Sequence, residues 1–312
     1  MHRARQAPRT VGGLALIALA AVSWGTSGSV MTVLAERAAA SPLLVGVARL
    51  WIAAIVLLLA ASLTPRALAI APGDRWRCLA MGACMAGYQS AYFTAVTLGG
   101  IAIVALVAIC SAPLVIAGLA PWLLGERLTS RVSGALLIGV LGTALLVASP
   151  SGASATSSRF LGGVLLAFLA GLAYALYVLT AKATLRRSAP LPTTALTFAS
   201  GAVLLTPALL WTSEPASQLA RGWPWLLYLG AVATAGAYAI YTVGLRRVPA
   251  SVAGVTTLLE PLTATILGVA LFDERLGAAG AVGAVLMVVA LGLLTVGAER
   301  PRAVGPVATP RG

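Results

Sequence analysis

One carboxylate stands near the middle of an apolar stretch of this sequence. Glu260 lies in the run 250–272, where Thr256 and Thr257 are the polar residues one turn earlier. If this run crosses a membrane, a charge at its centre costs about 2.5–3.5 kcal/mol on insertion scales. We therefore expect Glu260 to face the interior of a helix bundle. There it would bind a substrate ammonium or couple transport to protons, or else fix helix packing as a neutral, hydrogen-bonded group.

Arg49 is the basic residue that lies well inside another apolar run, 43–63. It could pair with Glu260 or bind a carboxylate of a substrate. At 1.5 Å per residue the two positions differ in depth by roughly 9 Å, so direct pairing requires extended side chains or helix tilt. The alternative is an arginine that reaches toward the lipid headgroups.

Tyrosines recur at helical spacing within the apolar runs. They form three pairs and are joined by Trp24 and Gln89; the pairs are Tyr88 with Tyr92, Tyr174 with Tyr177, and Tyr238 with Tyr241. A ring with one hydrogen-bonding group suits the wall of a cavity for amphipathic solutes or cations. The alternative is a belt of rings at headgroup level, which applies best to Tyr177 near the end of its run.

Pro113 and Pro261 each lie inside an apolar run. Each removes a backbone donor, so the carbonyls of Ile109 and Thr257, one turn earlier, lose their partners. In lipid such carbonyls must be satisfied or line a cavity. The prolines thus predict two broken helices at a binding site, or else two tolerated kinks.

The composition shows which elements must position these residues. The chain is 60% hydrophobic and only 9% charged, whereas a soluble domain carries about 25% charged residues. It therefore belongs in lipid, and a membrane helix needs about 20 apolar residues. The sequence predicts an all-α integral membrane protein with ten transmembrane helices, at 11–34, 43–63, 79–98, 101–124, 132–149, 161–181, 192–211, 225–245, 250–272 and 278–297.

Basic residues indicate the orientation of these helices. With ten spans, both termini and alternate loops lie on one side, and that side holds 16 of the 21 Lys and Arg residues against four on the other. Because basic residues favour the cytoplasmic side, both termini are predicted to be cytoplasmic, in a multi-pass protein of the cell (inner) membrane. The net charge of +13 is thus explained by topology and does not predict nucleic-acid binding.

The sequence repeats itself. A shift of 148 places "AYFT" (91–94) on "AIYT" (239–242), Pro113 on Pro261 and "GERL" (125–128) on "DERL" (273–276), while Ala112 is the counterpart of Glu260. The predicted organisation is a cytoplasmic segment 1–10, a repeat 11–149, a linker 150–160, a repeat 161–297 and a disordered cytoplasmic tail 298–312. Five spans per repeat would invert the second relative to the first, as in many secondary transporters.

These features resemble a known family. Trp24-Gly25 in the first span, Arg49 in the second, and Glu260-Pro261 followed by Glu274-Arg275, within a tandem five-span repeat, are similar to EamA-type members of the drug/metabolite transporter (DMT) superfamily. The resemblance covers about 11–297. It implies a ten-helix bundle around a central cavity, with the fifth and tenth helices to the side, and it implies export of small metabolites such as amino acids or drug-like compounds.

The rest of the sequence bears on the rival functions. It contains neither an ATP-binding GxxxxGK[ST] motif nor an evident catalytic or metal-binding set, so we predict no enzyme, cofactor, metal or ATP motor. The alternatives are uptake or exchange of a sugar or nucleotide-type metabolite, whose anionic substrate would find only Arg49, and a non-transporting scaffold. Glycines such as Gly142 and Gly283 permit close helix packing, either within a monomer or in a homodimer.

Overall fold

The apolar runs form long helices. A computed structural model describes residues 6–64, 70–99, 101–147, 158–272 and 277–298, and every regular element in these ranges is helical. The helices are α1 (Gln6–Ala38), α2 (Pro42–Ser62), α3 (Asp74–Gly99), α4 (Ile101–Leu124), α5 (Ser130–Val147), α6 (Ser158–Thr184), α7 (Pro190–Leu205), α8 (Pro215–Leu227), α9 (Ala237–Arg247), α10 (Ala250–Thr256), α11 (Leu259–Phe272) and α12 (Ala278–Ala298). The predicted tail and the "DERL" sequence lie outside the described residues.

Several helical segments run on without a loop between them. A 3-10 segment, Thr206–Trp211, follows α7, and a π-helical segment, Tyr228–Gly236, joins α8 to α9. Seven segments of the described chain are long and apolar enough to cross a membrane: Thr10–Ala38, Pro42–Ser62, Val104–Leu124, Ser158–Thr184, Pro190–Trp211, Pro215–Arg247 and Ala250–Leu271. Ser130–Leu146 and Ala278–Leu294 are apolar but shorter. The chain is therefore a multi-pass membrane protein.

Helices from the N-terminal half of the chain pack on helices from the C-terminal half. The most extensive pairings join α3 to α6 and α7, α2 to α7, α4 to α6, α1 to α9 and α11, and α5 to α12. The largest group of buried apolar side chains accordingly contains residues of both halves, from Ile17 in α1 to Ala253 in α10. Polar residues in the middle of these helices are thus brought to one shared interior.

Glycines set the distance between α5 and α12. A Cβ atom on Gly142 would lie 2.8 Å from the carbonyl oxygen of Gly283, and one on Gly283 would lie 2.5 Å from that of Gly142. Because neither glycine carries a Cβ, the two helix backbones approach closely within one chain. These two glycines therefore serve packing inside the monomer.

The two prolines affect their helices differently. α4 runs through Pro113 without a break, so the alternative of a broken helix is wrong there and the proline is tolerated within the helix. Before Pro261 the helix is interrupted at Thr257–Leu258, between α10 and α11. The Thr257 carbonyl does not lose its partner, because it accepts the backbone N–H of Glu260 at 3.0 Å. The tightened turn compensates for the donor that Pro261 lacks.

Candidate functional site

A cavity of about 80 Å³ lies in the interior, where helices of both halves of the chain meet. Eight residues that the sequence analysis assigned to substrate binding line it: Trp24, Arg49, Tyr88, Gln89, Tyr174, Tyr238, Thr257 and Glu260. The other lining residues are Ser27, Ala108, Ile109, Ala112 and Pro113. The cavity has room for a few water molecules, since each needs roughly 10–15 Å³ of such volume. The polar and aromatic side chains of its wall therefore surround a small space.

The dipeptide Trp24-Gly25 connects the cavity to the Glu260 backbone. Trp24 lines the cavity, while a Cβ atom on Gly25 would lie 2.7 Å from the Glu260 carbonyl oxygen and 2.5 Å from Thr263 Cβ. Any side chain at position 25 would push α1 away from α11. Gly25 thus brings the Trp24 ring close to the helix that carries Glu260.

The aromatic residues form one continuous cluster. The Trp24 ring centroid lies 4.7 Å from that of Tyr238 and 6.5 Å from that of Tyr174, and the Tyr174 centroid lies 5.9 Å from that of Tyr88. Tyr177 is only 1% exposed and lies against Tyr174 and Tyr238, so the interpretation of Tyr177 as part of a headgroup belt is wrong. Its position near the end of a run is typical of a belt residue, but its side chain lies on the face of the helix that packs against the interior.

Arg49 is held at the cavity wall by the π-helical segment. Its Nε donates a hydrogen bond of 3.1 Å to Thr234 Oγ1, and the Thr234 hydroxyl itself donates to the Leu229 carbonyl at 2.7 Å. That second bond spans five residues, which is the spacing of a π-helix. Arg49 therefore faces the interior instead of extending to the headgroups.

Glu260 lines the same cavity, in the first turn of α11. The negative charge of a carboxylate is favourable at this end of a helix. Arg77 with Asp74 is the one ion pair within 4.0 Å among the described residues, so Arg49 and Glu260 face one cavity without direct pairing. A guanidinium and a carboxyl group thus line one cavity that another molecule could fill.

Three polar atoms in the cavity wall are buried without a hydrogen-bond partner from the described residues. They are Trp24 Nε1, the Ser27 hydroxyl oxygen and the Tyr174 hydroxyl oxygen. A buried polar group without a partner costs roughly 1–3 kcal/mol. A polar molecule in the cavity would recover that free energy by bonding to these groups.

Three residues that sequence reasoning assigned to the site do not line the cavity. Tyr92 lies behind Tyr88, with ring centroids 5.9 Å apart, and Tyr241 lies behind Trp24 at 5.2 Å. The Thr256 hydroxyl donates to the Val252 carbonyl at 2.8 Å. Tyr92 and Tyr241 support the lining rings, whereas Thr256 is satisfied within its own helix.

Sequence reasoning also missed two residues that the structure brings to the site. Ser27 follows Trp24 by three residues, so the helical spacing alone places both on one face. Thr234 contacts Arg49 through the π-helical segment, and a run treated as an α-helix gives no signal for it. Among the described residues, no group of three or more His, Cys, Asp or Glu side chains is arranged to hold a metal ion.

Comparison with known proteins shows which family this chain is similar to. The chain matches the EamA-like transporter family twice, over residues 11–148 and 161–296. It is 38% identical over 285 residues to the uncharacterized transporter YwfM of Bacillus subtilis (strain 168), covering 90% of this chain and 92% of that protein. It is 27% identical over 154 residues to an uncharacterized transporter of Archaeoglobus fulgidus, covering 49% of this chain and 53% of that protein.

A solved crystal structure agrees at the level of the fold. It superposes with a TM-score of 0.80 and 21% sequence identity, and the alignment covers 96% of this chain and all of the other. At that identity the likeness shows the fold alone. The two family matches, on either side of residues 149–160, each contribute helices to the cavity. The chain belongs to the EamA-like transporter family of the drug/metabolite transporter superfamily.

Proposed function

We propose that this protein is a secondary active transporter that exports a small metabolite, such as an amino acid or a drug-like compound, across the cytoplasmic membrane. The observation that carries the proposal is the cavity lined by residues of both family-matched segments, where Arg49 and Glu260 line one space without forming an ion pair. A zwitterion would place its carboxylate at Arg49 and its ammonium at Glu260. The preference for export follows from the family resemblance.

The aromatic wall fits the same class of substrate. Tyr and Trp rings present a face to a cation and a polar group to its hydrogen-bonding atoms. Trp24, Tyr174 and Tyr238 meet at one side of the cavity, where Trp24 Nε1 and the Tyr174 hydroxyl have no partner among the described residues. A substrate with an ammonium and a polar or apolar side group would satisfy both features.

Alternating access is the proposed mechanism. The two halves, 11–149 and 161–297, would each contribute five of ten spanning helices, inverted relative to one another, with both termini in the cytoplasm. The extensive packing between helices of the two halves supports a mechanism in which one half rocks against the other.

Glu260 is the proposed coupling group. A carboxylate near the middle of a membrane and facing a cavity is well placed to take up a proton, because the neutral form is less costly in an apolar surrounding. Substrate and proton would then compete for the same group, which would couple substrate movement to a pH gradient. The proposed transport unit is a monomer or a homodimer. A single chain supplies the whole wall of the cavity as described, so each copy would carry its own site.

Transport by the purified protein in proteoliposomes tests this proposal. Amino acids and cationic drugs would be screened with and without a pH gradient. We expect saturable movement of at least one compound that carries an ammonium group, with a rate that changes when the gradient is imposed. Protein-free liposomes control for leakage. Absence of movement for every compound under every gradient, in correctly folded protein, would overturn the proposal.

A further inference from the structure

A second cavity lies at the ends of α6 and α9, beside the turn that follows α4. It has a volume of about 490 Å³ and shares no lining residue with the first cavity. Its charged lining residues are Glu126, Lys182, Arg186, Arg246 and Arg247, and its apolar ones include Leu185 and Val248. It is thus a separate concavity with a strong excess of positive charge.

The single carboxylate in this cavity is already engaged. Glu126 Oε2 accepts the backbone N–H of Ala250 at 2.7 Å and so caps the start of α10. None of the four cations forms an ion pair with a described carboxylate. The one ion pair within 4.0 Å among the described residues joins Arg77 to Asp74. Like charges gathered in one concavity create a potential that concentrates anions there.

Two of the cations are fixed in place by the protein. Lys182 Nζ donates to the carbonyls of Leu245 and Val248 at 2.7 and 2.5 Å, which leaves its third donor for another partner. Arg186 donates to the Leu124 carbonyl at 2.6 Å. The cavity is therefore a built arrangement and more than a cluster of solvated side chains.

The other two cations have their donors available. Arg246 and Arg247 are both exposed, and neither guanidinium forms a hydrogen bond with a described residue. Adjacent arginines at the end of α9 can each offer two parallel N–H groups to one anion. Phosphate oxygens match that geometry, whether they belong to a soluble anion or to a lipid headgroup.

We propose that this cavity binds a phosphate-type anion, contacted by Arg246 and Arg247 and supported by Lys182 and Arg186. The phosphate belongs to an anionic lipid headgroup or to a soluble phosphate. Both sources offer the same oxygens to the same donors. The binding is independent of the first cavity, so its test does not depend on the transported substrate.

Lipid retention by the full-length protein tests the proposal. The protein in detergent would be titrated with phosphatidylglycerol or phosphatidylcholine, with bound lipid counted by native mass spectrometry, and separately with inorganic phosphate, with thermal stability as readout. We expect binding of phosphatidylglycerol or phosphate to weaken at least about tenfold in the double variant Arg246→Gln/Arg247→Gln. Phosphatidylcholine binding should stay unchanged.

Two further variants decide the interpretation. Arg127→Gln/Arg187→Gln removes the same charge from exposed neighbouring positions that do not line the cavity, and it should retain full binding. Arg246→Lys/Arg247→Lys keeps the charge and should recover part of the affinity, which shows that the fold is intact.

The two probes separate the sources of the anion. Specific retention of phosphatidylglycerol, without stabilisation by inorganic phosphate, assigns the cavity to a lipid headgroup, and stabilisation by inorganic phosphate assigns it to a soluble anion. Either result supports the site. Equal losses in the cavity variant and the Arg127/Arg187 variant, or no effect of either probe on the unmodified protein, would overturn the proposal.

Discussion

Two faces of the first cavity occupy corresponding positions in the sequence repeat but differ in chemistry. α4 presents Ile109 and Ala112, whereas the α10–α11 segment presents Thr257 and Glu260, 148 residues further along the chain. Each face is followed by a proline, Pro113 or Pro261. The shared proline therefore belongs to the scaffold, and the polar groups distinguish one face from the other.

The backbone differs together with the side chains. The Thr257 hydroxyl donates to the Gly254 carbonyl at 2.7 Å, a local bond that competes with regular helix geometry. Ile109 has no hydroxyl with which to form such a bond, and α4 stays continuous through Pro113. A proline alone thus does not interrupt these helices, and the Ser111 hydroxyl, which donates to the Ala108 carbonyl at 3.3 Å, leaves α4 continuous as well.

Replacing the carboxylate should have the largest effect. Glu260→Gln keeps the shape but makes the polar face as uncharged as α4, and we expect transport to fall about 100-fold because a hydrogen bond to a charged group is worth roughly 1.5–3 kcal/mol. Initial rates in proteoliposomes measure this, normalised to folded protein. Normal transport by a well-expressed Glu260→Gln protein at every pH would exclude Glu260 from the mechanism.

Arg49→Lys should have the next largest effect. The substitution keeps a positive charge but removes the Nε–H group that bonds to Thr234 and the fork that binds a carboxylate. We expect a loss of about 20-fold in apparent substrate affinity, from two weakened hydrogen bonds. Thr234→Val is the matched control, since it removes the bond that positions Arg49 and the Thr234 bond to the Leu229 carbonyl but leaves the guanidinium intact, and a smaller loss is expected. A larger effect in Thr234→Val would assign Arg49 a purely structural role.

A pair of valine substitutions compares the two faces directly. Thr257→Val removes a polar group and the hydroxyl bond at the helix interruption, so we expect transport to fall about fivefold, the value of one neutral hydrogen bond. Ile109→Val at the corresponding position only shortens an apolar side chain, and a change of less than about twofold is expected there. Equal effects at both positions, measured as initial rates, would remove the distinction between the faces.

Thr256→Val should have the smallest effect. Its hydroxyl is bonded to the Val252 carbonyl and does not reach the cavity, so transport should change by less than about 1.5-fold. Dose–response curves for Thr256→Val and Thr257→Val under the same conditions provide the comparison. A stronger loss in Thr256→Val would mean that the cavity wall rotates toward Thr256 during transport.

Much of the helical framework could be predicted from the sequence, because the apolar runs are long and their ends carry polar or proline residues. The run 101–124 coincides with α4, and 43–63 is shifted by one residue from α2. The helical segment around 225–245 begins earlier, at Pro215. Its first turns contain Gln218 and Arg221, so a search for apolar residues passed over them.

The candidate site was predictable where a polar residue stands alone in an apolar run. Glu260, Arg49 and Gln89 carry this signal, because burial without a function is costly for such groups. Tyr177 shows the limit, since its depth along the helix is readable but the direction that it faces depends on packing against Tyr174 and Tyr238. Thr256 and Thr257 are neighbours, and only the observed helix interruption determines which one reaches the cavity.

The π-helical segment gives the aromatic cluster its angular phase. An α-helix turns by about 100° per residue, and a wider winding over Tyr228–Gly236 turns by less. Tyr238 and Tyr241 follow this segment, so their direction relative to α8 is set by how many residues it contains. Deleting one residue there would rotate both rings away from Trp24 while leaving composition and hydropathy almost unchanged. The length of this segment is thus itself a determinant of the shape of the cavity.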